Sequence, residues 1–190
     1  MRSGLFGAVP LSQFFIENFI GAGDRVVDAT CGNGGDTLFL ARLVGPDGRV
    51  FAFDLHEGAV RHTRELLLQE GLLDRVTLVH EGHERLREHV PHGVRGVMFN
   101  LGSLPRCGDA PPTAPDTTLA ALEQGEELLA VGGIIALCIY TGHEGGGGEA
   151  EVVERWGAGL PPAGWNVWRC RQANRSPAAP YLLLAEKVRE

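Results

Sequence analysis

Val26-Val27-Asp28-Ala29-Thr30-Cys31-Gly32-Asn33-Gly34-Gly35-Asp36-Thr37 is the stretch that decides the fold of this chain. A short apolar run ends in an acid, a glycine-rich turn follows, and the apolar stretch Leu38 to Val44 comes next. That order reads as strand, tight loop, helix. Gly32, Gly34 and Gly35 allow backbone to approach a ligand that a Cβ would hold off. The first N–H groups of the new helix turn towards the same space. A turn so built is a nucleotide-binding device.

The segments on either side repeat the alternation. A helix is predicted over residues 10–20, where Leu11, Phe15 and Phe19 recur every four residues beside Ile16 and Ile20. The first strand covers about 25–29, and the helix after the turn starts near Asp36. A second strand, Val50 to Phe53, ends in Asp54, and a helix over 59–69 closes at Gly71. A third strand (76–79) precedes a short helix near 84–89, and a fourth (96–99) runs into Asn100. The proline-rich stretch 101–115 is too long for an ordinary connector. Asp116-Thr117-Thr118 reads as the cap of a helix that ends before Gly132-Gly133. A very apolar strand (134–140), a glycine-rich loop (141–148), a helix (149–156) and two strands (165–171 and 181–186) complete the chain. The last two strands have only a polar loop between them, so the final one returns antiparallel. The expectation is an α/β Rossmann-like fold: one domain over 1–190 with a doubly wound, mostly parallel, seven-stranded sheet and an antiparallel strand near one edge.

The totals bound what such a domain does. The chain has 190 residues, 44% of them hydrophobic, and a formal net charge of −7. Its pI is about 5.5 and its mean hydropathy −0.03. No run is long enough for a membrane span, and Met1 to Phe6 lacks the apolar core of a signal peptide; a cytoplasmic location is expected. Cys31, Cys107, Cys138 and Cys170 lie far apart with no Cys-x-x-Cys pair, and the histidines lack ligand spacing, so no metal site is expected. The acidic balance argues against a general nucleic-acid binder without excluding a local basic patch. Nearly all positive charge is arginine, Lys187 being the one lysine.

Which nucleotide follows from the letters of the turn. The dinucleotide fingerprint needs a third glycine that Gly32-Asn33-Gly34-Gly35-Asp36-Thr37 lacks. An acid four residues ahead of Gly32, with Asp54 at the end of the next strand, resembles the first motifs of S-adenosylmethionine methyltransferases. Longer blocks narrow this: Asp28 through Ala41, Ala52-Phe53-Asp54, Gly71 through Leu78, Met98-Phe99-Asn100-Leu101-Gly102, Tyr140-x-Gly142-His143, Asn174, and Pro180-Tyr181-Leu182-Leu183. Together they resemble a bacterial family of tRNA 5-(aminomethyl)-2-thiouridine methyltransferases, long labelled rRNA methylases, and the likeness covers nearly the whole chain. The departures fall mostly on the substrate side. The family's tyrosine stands here as Ser103, its lysine as Ala110, its proline as Glu144, its serine as Gly82 and its glutamine as His56.

The resemblance implies S-adenosylmethionine as cofactor and the anticodon region of a tRNA as partner, and leaves a homodimer open. Asp28, Thr30, Gly32, Asn33, Gly34, Gly35, Asp36, Asp54, His56, Gly82, His83, Asn100 and Leu101 are expected at the cofactor. Gly102, Ser103, Tyr140, Gly142, His143 and Asn174 are expected at the substrate, with Asn100 and His143 as the catalytic pair. An aminomethyl nitrogen behaves like a lysine amine and must lose a proton before it attacks. The Asn100 side-chain carbonyl accepts an N–H bond and aims the lone pair. Leu104-Pro105-Arg106-Cys107 invites a competing reading in which Cys107 is a nucleophile towards a pyrimidine ring. Arg106, Arg169, Arg171 and Arg175 are candidates for phosphate contact. Three other functions stay open: an rRNA methyltransferase, a small-molecule amine methyltransferase, and a non-catalytic module that binds S-adenosylmethionine or RNA.

Overall fold

A computed structural model describes residues 7–102, 113–142 and 146–189. Strands β1 (Arg25–Asp28), β2 (Arg49–Phe53), β3 (Val76–Val79), β4 (Val94–Asn100), β5 (Leu129–Ile139), β6 (Trp165–Cys170) and β7 (Tyr181–Lys187) form one sheet in the order β3-β2-β1-β4-β5-β7-β6. The first five run parallel, with Val27 level with Phe51 on one side and Val97 on the other. β7 is antiparallel to both neighbours, with Ile139 opposite Tyr181 and Cys170 opposite Leu182. The crossover from β5 to β6 leaves one strand's width open, and the returning chain fills it.

Helices α1 (Ala8–Ile16), α2 (Gly35–Val44) and α3 (Glu57–Gln69) cover one face; α4 (Leu86–His89), α5 (Pro115–Leu128) and α6 (Gly146–Gly159) cover the other. Two separate apolar cores result. Val26, Leu40, Leu67, Met98, Leu182 and Leu184 pack on the first face. Val27, Phe53, Phe99, Leu122 and Leu183 pack on the second. Alternate residues of one strand therefore go to opposite cores, which is why the central strands read as unbroken apolar runs. Among the described residues, no helix is long and apolar enough to cross a membrane.

Several boundaries differ from the sequence expectation. The first helix ends at Ile16 rather than at 20, because the Asn18 side-chain amide donates to the Phe14 carbonyl at 2.8 Å and the N–H groups of Asn18 and Phe19 reach carbonyls only three residues back. Asp116-Thr117-Thr118 is not the cap of α5. Pro115 takes the first helical position after an extended Ala114, and the Thr118 hydroxyl is drawn instead to Glu149 at 2.7 Å. Gly132-Gly133 does not end that helix. It lies within β5, where the pairing with β4 jumps from Val94↔Leu129 to Gly96↔Ile134 and Gly132 adopts a φ of +77°.

Candidate active site

The carboxyl ends of β1, β2, β4 and β5 and the residues just past β3 open on one cavity of about 630 Å³, the position at which open α/β sheets bind ligands. Its floor is the glycine turn. Cys31 donates its N–H to the Phe53 carbonyl at 2.8 Å, and Gly32 donates to Asp54 Oδ2 at 2.9 Å. The other oxygen of Asp54 accepts the His56 N–H at 2.9 Å. A carboxylate has about four lone-pair sites, so Asp54 keeps capacity for two further donors from a ligand. Thr63 of α3 donates to the Gly32 carbonyl at 3.2 Å, which closes the turn from behind. Gly34 has a φ of +78°, and a Cβ there would meet Thr63 Oγ1 at 3.0 Å, so glycine is required on both counts.

Asp28 supports this turn from below. It is 1% exposed and accepts the Thr37 hydroxyl at 2.6 Å and the Thr30 N–H at 3.2 Å, linking β1 to the first turn of α2. Burial above all, then the nearby Asp36 carboxylate, raises its pKa to about 7. Burial also raises Asp36, and the hydrogen bond from Gln13 of α1 at 2.8 Å partly offsets this. Cys31 lies in the cavity wall, but burial pushes its thiol up and leaves it a poor nucleophile.

At the β3 end, His83 is 6% exposed. Its Nδ1 is 3.2 Å from the Ala29 carbonyl, which only accepts, so Nδ1 carries the hydrogen. Burial lowers its pKa and keeps the ring neutral; Nε2 is then an acceptor, without a protein partner among the described residues. The His83 ring packs edge-on against Phe99, next to Asn100 at the end of β4, and Tyr140 past β5 also lines the cavity, its phenol pushed up by burial to about 12. Asn100 is fixed through its backbone, its N–H donating to Thr30 Oγ1 at 2.7 Å. The next turn hangs on a buried acid: Gly102 donates to Thr113 Oγ1 at 3.0 Å, and that hydroxyl donates to Glu149 Oε2 at 2.9 Å.

Most residues expected at the site therefore meet around one space. Thr30, Gly32, Asn33, Gly35, Asp36, Asp54 and His56 line it from the first half of the chain. Gly82, His83, Asn100, Leu101, Gly102 and Tyr140 line it from the second. Asp28 and Gly34 stand behind the wall as supports, not in it. Gly142 lies just past β5, and Asn174 is exposed in the loop between β6 and β7. Ser103, Arg106, Cys107, Ala110, His143 and Glu144 lie outside the described residues.

Arg169 and Arg171, candidates for phosphate contact from their place at a strand end, are engaged with a carboxylate. Both pair with Glu154, at 3.0 and 3.2 Å, and the Arg171 guanidinium lies 3.8 Å from the centroid of the Tyr181 ring. Sequence reasoning also missed wall residues. Val9 and Gln13 come from α1, Thr113 and Ala114 from the approach to α5, Thr117 from its first turn, Leu55 from just past β2 and Glu84 from the short turn after β3. The one available signal was the acid Glu149, set among small residues at the start of a helix.

The charge of the wall selects its ligand. Asp36, Asp54 and Glu84 line the cavity, and no arginine or lysine does among the described residues. A pyrophosphate would find no cation here. S-adenosylmethionine, with a sulfonium, an ammonium and two ribose hydroxyls, fits these donors and acceptors.

Comparison with known proteins agrees with this fit. The family model described as "Putative rRNA methylase" matches residues 50–186. A relative from Arabidopsis thaliana, "tRNA (mnm(5)s(2)U34)-methyltransferase, chloroplastic", is 41% identical over 196 aligned positions, covering 96% of this chain and 71% of the relative. The crystal structure of a "putative rRNA-methylase" from Clostridium thermocellum superposes with a TM-score of 0.93 at 41% identity, over 97% of this chain and all of that one (100%). A "putative methyltransferase" from Streptococcus mutans, solved in complex with SAH, gives a TM-score of 0.86 at 33% identity, over 95% and 97% of the two chains.

Proposed function

This chain belongs to the rRNA-methylase family and is an S-adenosylmethionine-dependent methyltransferase; from that premise we propose that it N-methylates the aminomethyl group of a wobble 5-aminomethyl-2-thiouridine in tRNA. The observation that carries this reading is the acid-lined wall, without an arginine or lysine among the described residues, which suits a positively charged donor and an acceptor that arrives as an ammonium. The Arabidopsis relative, named as an enzyme of the same wobble position, supports the choice of acceptor.

Bound in the cavity, S-adenosylmethionine supplies an electrophilic methyl group. The protein's part is to position and to exclude water, the main resource in an in-line displacement. We assign the ribose hydroxyls to Asp54 and the methionine end to the turn around Asn33 and Gly35. The two acceptors that follow Gly82, His83 Nε2 and Glu84, suit the adenine edge. Asn100 presents its side-chain oxygen to an N–H of the acceptor and aims the nitrogen lone pair. We assign Ser103, Gly142, His143 and Asn174 to the anticodon.

The test is to incubate the enzyme with labelled cofactor and tRNA carrying the aminomethyl nucleoside, followed by nucleoside mass analysis. The expected product is the same nucleoside one methyl group heavier; a label found only in rRNA would move the enzyme to another RNA. In the same assay Cys107→Ser should retain transfer, and a covalent RNA adduct trapped on the wild type would overturn the amine mechanism. A second reading, a methyltransferase of small amines, is favoured by the net charge of −7 and by the pairing of Arg169 and Arg171 with Glu154. Salt separates the two. RNA binding through phosphates weakens by orders of magnitude between about 50 and 200 mM salt, whereas turnover of a small amine would stay flat.

A further inference from the structure

The cavity holds more negative charge than the cofactor needs, and the surplus is at one end. The ribose acceptor Asp54 stands where β2 stops, towards Gly82 and Glu84. Asp36 is on the far side of the turn, in the first turn of α2, where it faces α1 and the end of β5. Gln13 Nε2 of α1 donates to Asp36 Oδ1 at 2.8 Å, which fixes the carboxylate and leaves Oδ2 for a ligand. No arginine or lysine pairs with it among the described residues. The charged or titratable groups that act on this end are Asp28 below, from β1, and Cys138 and Tyr140 from β5; Gln13 from α1 is neutral. A half-buried carboxylate without a cation bears part of that desolvation cost, and a ligand that brings an ammonium relieves it.

We propose that Asp36, held by Gln13, is the acceptor's carboxylate: it binds the primary ammonium of the methyl acceptor and takes the proton that must leave before transfer. The inference rests on the function proposed above. The step balances: one N–H proton passes to Asp36, the freed lone pair on nitrogen forms the N–CH3 bond, and the S–CH3 bond breaks with its electron pair left on sulfur. The product leaves as a secondary ammonium while Asp36 returns its proton to solvent. Burial raises Asp36 in the direction a proton acceptor needs. The family likeness groups Asp36 with the cofactor turn, and the position facing α1 and β5 is what moves it to the acceptor.

Asp36→Asn keeps the shape and the Gln13 contact and removes the charge. Titration calorimetry with SAH should show affinity within about twofold of wild type. Transfer to an anticodon stem-loop carrying the aminomethyl nucleoside should fall about 100-fold in kcat/KM, the lower range for loss of a general base. The residual rate should climb about tenfold per pH unit towards the amine's own pKa, because only the free amine then reacts. Gln13→Leu, a change in a half-buried helix residue, should lower kcat/KM about tenfold with SAH binding unchanged, and it keeps the idea testable if the first variant folds poorly. A matching loss of SAH affinity in Asp36→Asn would assign the carboxylate to the cofactor's own ammonium and overturn the proposal, as would undiminished transfer. If wild type leaves the stem-loop unmodified, the acceptor itself has been misread, a failure visible before any variant is tested.

Discussion

The two ends of the cavity are built differently. The donor end is organised around the backbone of one turn: its N–H and carbonyl groups at Cys31 and Gly32 are held by the Phe53 carbonyl, the Asp54 carboxylate just past β2 and the Thr63 hydroxyl of α3. The acceptor end is assembled from α1, α2, β4, β5 and the approach to α5, and side-chain hydroxyls join it, with Thr30 holding Asn100, and Thr113 and Thr118 converging on Glu149. A wall of backbone bonds tolerates few substitutions. A wall of side chains changes residue by residue; the departures from the family pattern at Ser103, Ala110 and Glu144 lie outside the described residues. On the proposed assignment, cofactor binding and acceptor choice rest on different residues.

The strongest way to break that separation is Asp54→Ala. It strands the Gly32 and His56 N–H groups and removes the hydroxyl acceptor, so SAH affinity should fall by about 100-fold or more in calorimetry, at roughly 1.5–3 kcal/mol per charged hydrogen bond. A fall below threefold would mean that the turn holds the cofactor without β2. Asn100→Ala tests the other end. It should lower kcat by about 30-fold, within the range that misplacing a reacting group costs, and leave SAH affinity within twofold. Equal losses in both would show that the ends are one unit.

The smallest effect concerns Asp28, which feels both ends through Asp36 and Asp54. Its folded pKa of about 7 lies above its unfolded value of 3.8. The folded state thus binds the extra proton between those values, and stability declines as pH rises through that window. Between about pH 6 and pH 7 the loss should be about 1 kcal/mol, read from urea melts. Asp28→Asn should flatten this part of the pH dependence, and an unchanged slope would place the titrating group elsewhere.

The donor end was legible because its signal is local. A glycine at positive φ, an acid at a strand end and the interval between them are all properties of neighbouring residues. The antiparallel return of the last strand could be read from the short polar connection before it. Helix ends were less legible: Asn18 folding its amide back onto Phe14, and Pro115 displacing Asp116 from the start of α5, depend on competition among nearby groups that pattern alone does not rank. The acceptor wall was least legible. Leu11, Phe15, Ile16 and Ile20 mark α1 as amphipathic, but nothing in that period says that Gln13 on its flank meets Asp36 twenty-three residues later.

Alone, then, the amino-acid sequence determined the strand-turn-helix unit, the parallel sheet, the cofactor class and most residues that line the cavity, because backbone conformation and apolar period are encoded within a few residues. Only the tertiary structure decided which charges survive as contacts. Arg169 and Arg171 are claimed by Glu154. Lys187, the one lysine, is 9% exposed and donates to the Glu126 and Leu129 carbonyls where α5 ends. Asp36 remains in the wall without a cation among the described residues. A charge's partner is set by which elements pack together, and that is a property of the assembled sheet and helices rather than of any short stretch of chain.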